Sequence, residues 1–137
     1  MLKLTSKTRT FDVEINGEVV QYPINTSVSN ALRCIESARK AQSQVTKLQA
    51  KAANFDAASD VDDLMVIIGD LYGIFEPMID TMLGMGATDD VCQRLGLSHV
   101  DAIEQVMDLW QAVAEEAKSI AGEDRQAKAA HYLDAQQ

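Results

Sequence analysis

The chain has 137 residues, 47% hydrophobic and 24% charged, with a net charge of −9 and two cysteines. That length supports one hydrophobic core, and the acidic balance argues against nucleic acid, which is bound chiefly through clustered Lys and Arg. The runs of strong hydrophobes are far too short for a bilayer span and MLKLTSKTR lacks the apolar stretch of a signal peptide, so a cytoplasmic domain with no membrane contact is expected.

The charge is unevenly placed. Residues 1–51 hold eight Lys/Arg against four Asp/Glu, and residues 52–137 hold four against seventeen, a split of +4 and −13. Either basic and acidic helices pack side by side within the chain, or the two surfaces face different partners and steer assembly. Cys34 and Cys92 lie far apart without CxxC or Cys/His spacing, so both read as buried small hydrophobes rather than a bridge or metal site.

Phe11 to Ile24 is the first element. Asn16-Gly17 suits a two-residue type I′ turn, which sets Ile15 opposite Glu18, Val13 opposite Val20 and Phe11 opposite Tyr22. One side of this hairpin is then apolar and must be covered, because a lone ribbon is marginal in water. Pro23 ends the pairing, and the Asn-Thr-Ser that follows Ile24 offers helix caps.

From Val28 to Phe55 the pattern is helical, with a thin stripe of Val28, Leu32, Ile35, Ala38, Val45, Leu48, Ala52 and Phe55. Lys and Arg fill most of the remainder. At roughly 1.5 Å per residue this helix extends about 40 Å, longer than the domain needs, so its far end is expected to project. A loop from Asn54 follows, with Ser59 or Asp60 capping the next helix.

That next helix dominates the chain. Leu64 to Met85 carries fourteen large apolar residues, four of the six methionines, no basic residue and three acids. Gly69 and Gly73, four apart, mark the expected close approach of a neighbour, the hairpin being the nearest candidate. Pro77 is expected to kink or interrupt the helix. Gly84-Met85-Gly86 breaks it, Thr88-Asp89-Asp90 caps a short helix over Val91–Leu95, and Gly96 stops that one. Ser98 with Asp101 opens the last helix, whose apolar positions are Val100, Ile103, Val106, Met107, Trp110, Val113, Ala114, Ala117 and Ile120. Gly122 is expected to end it. The reading is a mainly α fold with a small N-terminal β-hairpin over 11–24 and about four helices in one compact domain, residues 1–122, followed by a polar tail, 123–137.

Signs of chemistry are sparse. His99 and His131 have no third ligand nearby, Asp62/Asp63 and Asp89/Asp90 resemble charges at helix starts, and no phosphate loop or nucleophile motif is present. No enzyme, cofactor or metal site is expected.

The order of the hairpin (FDVEINGEVVQYPIN), a long helix, then FEPMIDTMLGMGATDDVCQRLG followed by DAIEQVMDLWQAV resembles the tail assembly chaperones of long-tailed phages, particularly those of Gram-positive hosts. The likeness spans most of residues 8–115, and its most specific piece is MIDTMLGMGATDDVCQRLG, similar to the family's helix, Leu-Gly-x-Gly-Ala and short second helix. The family usually carries Phe or Ile where Cys92 stands. The resemblance implies a protein of the host cytoplasm, absent from the mature virion, that keeps the tape measure protein soluble until the tail tube protein polymerises around it. It also implies the shorter of two forms made by ribosomal frameshift.

The residues expected to face the partner are Met78, Ile79, Met82, Leu83 and Met85, because this helix exceeds what one hairpin and one thin amphipathic helix can cover. Arg39, Lys40, Lys47 and Lys51 form the expected second contact. Ordinary core burial is the competing reading at each apolar position. Self-association is a further expected contact. Two other readings stand beside the chaperone: a structural protein assembling through the hairpin edge and long helix, and a small-molecule regulator with a Met-rich pocket.

Overall fold

The computed structural model describes residues 1–4, 9–54 and 61–135, with side chains as far as Gly122. Strands β1 (Thr10–Ile15) and β2 (Glu18–Pro23) precede helices α1 (Val28–Ala53), α2 (Val61–Leu83), α3 (Ala87–Leu95) and α4 (Ile103–Ala135), so the fold is mainly helical with an N-terminal hairpin. The hairpin register pairs Phe11 with Tyr22, Val13 with Val20 and Ile15 with Glu18, as the turn chemistry predicts. Asn16 and Gly17 both take positive φ, 51° and 86°, the backbone twist a type I′ turn requires.

Helix α1 starts where Ser27 Oγ accepts the Asn30 N–H at 3.4 Å. Its buried seam is Ala31, Cys34, Val45 and Leu48, with Ala38, Ala41 and Ala52 partly buried, a repeat of three and four residues sustained for three heptads. This corrects the expected stripe at its start. Leu32 is 48% exposed on the opposite face, because small side chains at the seam let two neighbouring helices come close. Nor does the far end project: Leu48 is buried, Ala52 packs on the core, and Gln49 Nε2 donates to Met107 Sδ at 2.9 Å. Gln49 thus meets the start of α4 while Ile35 and Lys118 line one groove further along, so the two helices run antiparallel.

Helices α1 and α4 cover α2 from two sides, and the centre of the core is Trp110 against Phe75, ring centroids 4.9 Å apart. Helix α2 passes through Pro77 without a break. Gly69 and Gly73 receive no close neighbour. A Cβ at either position would meet nothing within 4 Å, and the hairpin packs on α3 and α4 instead. Tyr22 Oη donates to Asp90 Oδ2 at 2.6 Å, Arg94 Nε donates to the same oxygen at 2.8 Å, and Asn16 Nδ2 reaches the Arg94 carbonyl at 3.3 Å. An Arg9–Glu116 ion pair ties the foot of β1 to α4.

Helix α3 begins a turn earlier than its sequence pattern predicts, and the reason lies on α2. Asp80 accepts the Gly86 N–H at 3.1 Å and the Thr88 N–H at 3.0 Å, so a carboxylate from the preceding helix supplies the cap. Thr88, expected to cap, is fully buried and donates its hydroxyl to Asp80 at 2.8 Å. Gly96, at φ 70°, closes α3: its N–H and that of Leu97 bond back to the Gln93 and Cys92 carbonyls.

Gly122 does not end α4. The helix continues to Ala135, because one glycine costs about 1 kcal/mol in a helix and the flanking Ala121, Ala127, Ala129 and Ala130 are strong helix formers. The tail beyond 122 is therefore helical in its backbone as far as Ala135. The expected packing of Phe55 and the cap at Ser59 or Asp60 fall outside the described residues. Among the described residues, no helix is long and apolar enough to cross a membrane.

Candidate docking face between α1 and α2

Four of the five apolar residues expected to face a partner are core. Met78, Ile79, Met82 and Leu83 are all buried, Ile79 completely, so a partner surface there is corrected to monomer interior. The physical reason is α4. Its residues Val106, Trp110 and Val113 form a second apolar wall that, with α1, closes over α2. Met85 alone is open, 99% exposed between two glycines in left-handed conformation.

The basic face divides into two. Arg39 turns toward α4, lining a groove with Ile35, Gln42 and Trp110, and pairs with Glu36 at 2.8 Å; that pairing, first with Arg39 and then with Lys40, holds the Glu36 carboxyl below its usual range. Lys40 also reaches Glu36, at 3.6 Å. Lys47 and Lys51 are exposed and make no ion pair among the described residues. Arg33, which the sequence reading did not include in the site, belongs with them: 33, 40 and 47 are seven residues apart and so share one flank of α1. That spacing was the signal available in the sequence.

Arg33 also lines a surface groove of about 390 Å³ between α1 and α2, with Ser37, Gly73, Pro77 and Thr81 along it and Cys34 and Met78 as its floor. The outer face of α2 continues away from it through Gly69 to Val66 and Met65, which are 62% and 47% exposed. Pro77 has no N–H to give the Gly73 carbonyl, so that oxygen keeps its acceptor capacity beside the groove. The result is a helix face with little side chain at Gly69, Gly73 and Pro77, apolar at its Val66 end, bordered on α2 by Asp70 and Glu76, and with the cation Arg33 of α1 alongside.

The titratable groups elsewhere serve packing. Burial pushes the Cys34 thiol up to about 11 and raises Cys92, and both cysteines are free and buried, so neither is poised as a nucleophile. His99 stacks on Tyr72 with ring centroids 4.3 Å apart and meets Asp89 at 2.7 Å. Tyr72 Oη is buried without a hydrogen bond, and burial followed by the nearby Glu76 carboxylate raises its pKa. Among the described residues, no three His, Cys, Asp or Glu side chains are grouped to hold a metal ion.

No protein-family model matches this chain, and no curated protein or solved structure matches it either.

Proposed function

We propose that this protein is a tail assembly chaperone that binds a helical segment of the phage tape measure protein through the α1–α2 face and keeps that client from aggregating. The supporting observation is the track of Gly69, Gly73 and Pro77 on α2, open to solvent, with Arg33 lining the groove beside it and Lys47 and Lys51, which make no ion pair among the described residues, further along the same flank of α1. Helices pack closely where small residues let their backbones approach, and cations along the edge select an amphipathic partner with acidic flanks. Val66 and Met65 supply adaptable apolar contact. No catalytic step belongs to this reading.

The test is co-expression with the tape measure protein of the same phage, capture of this chain and sizing of the eluate. A soluble complex with many copies of the chain per client, from a client insoluble alone, supports the chaperone. A client indifferent to the chain, with the chain assembling by itself, would move the assignment to a structural tail component.

A further inference from the structure

A second surface lies on the other side of the molecule. A groove of about 330 Å³ runs between β1, α3 and α4, floored by Phe11, Val13, Leu95 and Leu109. Both inward and outward residues of β1 line it, which places it at the strand's open edge. The two-residue turn makes Ile15–Glu18 a hydrogen-bonded pair, and alternation along an antiparallel ladder then leaves the N–H and C=O groups of Asp12 and Glu14 pointing away from β2. Asp12, Glu14 and, across the groove, Asp108 make that edge acidic.

The same chain carries a segment with the complementary pattern. In Met1–Leu4, Leu2 and Leu4 are 82% and 86% exposed, and Lys3 between them is exposed as well. In an extended conformation Leu2 and Leu4 fall on one side and Lys3 on the other. Laid along β1, such a segment sets its leucines on the side of Phe11 and Val13 and its lysine on the side of Asp12 and Glu14, a match in both hydrophobic alternation and charge. In the structure this segment stands clear of its own groove.

We propose that Met1–Leu4 of one copy docks as a third strand on the β1 edge of a second copy, seating Leu2 and Leu4 in the groove and Lys3 against its acidic rim. This goes beyond the client reading and does not rest on it: the surface is different, and the test contains no client.

The experiment mixes full-length chain carrying Lys3→Cys with full-length chain carrying Asp12→Cys or Glu14→Cys, under mild oxidation, alongside sedimentation of the wild type over a concentration series. The expected result is concentration-dependent association and a disulfide-linked dimer between the two variants. Both are lost when Leu2→Asp and Leu4→Asp are added, while far-ultraviolet circular dichroism stays unchanged. A wild type that remains monomeric overturns the proposal, as does association unaffected by the aspartates. So does a chain bearing both cysteines that links only within itself while the mixture does not link, because the segment then occupies its own groove.

Discussion

Tyr22, Asp90 and Arg94 join the hairpin to α3, and their titration gives that joint a pH signature. The Tyr22 hydroxyl, and after it Arg94, holds the Asp90 carboxyl below its ordinary value of 3.8, so its stabilisation is present above that pH and lost as pH falls through the depressed value. Tyr22 moves the other way. Burial, then its bond to Asp90, pushes it from 10.0 up to about 12, so the contribution of the neutral phenol is full below pH 10 and is lost between pH 10 and about 12. We expect Tyr22→Phe to cost about 1.5 kcal/mol at neutral pH and to flatten the alkaline limb of stability, measured by urea unfolding across pH. Asp80→Ala, which strips the cap from α3, is expected to cost about 1–2 kcal/mol in the same assay.

At the scale of elements, glycine separates stability from binding. Gly69 and Gly73 sit in a helix with open space around them, so each change to Ala is expected to raise stability by about 0.5–1 kcal/mol in thermal unfolding. If α2 presents its client track there, Gly69→Ala with Gly73→Ala weakens client capture at the same time; stabilisation with unchanged capture places the client elsewhere. Gly122→Ala is expected to give a similar gain, because α4 runs through it. These positions also mark where sequence reading runs out. The hairpin was legible to its register because Asn16-Gly17 admits one turn type, and the apolar positions of α4 identified its buried face apart from Leu109. Gly69, Gly73 and Gly122 were read as contacts or a stop because a residue type signals what the backbone permits, and only the neighbours decide what it does. The phase of α1 was missed at Leu32 because a seam of alanines carries little hydrophobic signal.

Across the whole molecule the cations of α1 lie apart from the acidic rim, although that rim mixes Asp12 and Glu14 of the basic half of the chain with Asp108 of the acidic half. Among the described residues the one acid paired along α1 is its own Glu36, and Arg33, Lys47 and Lys51 make no ion pair, while the acidic rim gathers at the hairpin and α4. Methionine in α2 reads as a partner surface because a single chain gives no view of what α4 covers, whereas the exposure of Lys40, Lys47 and Lys51 is legible, since charge on a helix flank needs no tertiary partner. We expect Lys40→Glu with Lys47→Glu to leave the melting temperature within about 2 °C and to reduce client capture severalfold. Capture by the wild type is expected to weaken as salt rises, because exposed charges are screened over about 8 Å at physiological ionic strength.

The carboxylate of Asp80 has a consequence for the order in which the protein opens. Because it holds the first amides of α3 from the last turns of α2, and the Asn25 N–H bonds to the Met82 carbonyl at 2.8 Å, the residues around Gly84-Met85-Gly86 cannot loosen without disturbing α2, α3 and the β2–α1 connection at once. The Gly86 and Thr88 amides therefore belong to the last-opening unit, and hydrogen exchange should find them as slow as the core around Ile79, although Met85, next to Gly86, is bathed in water.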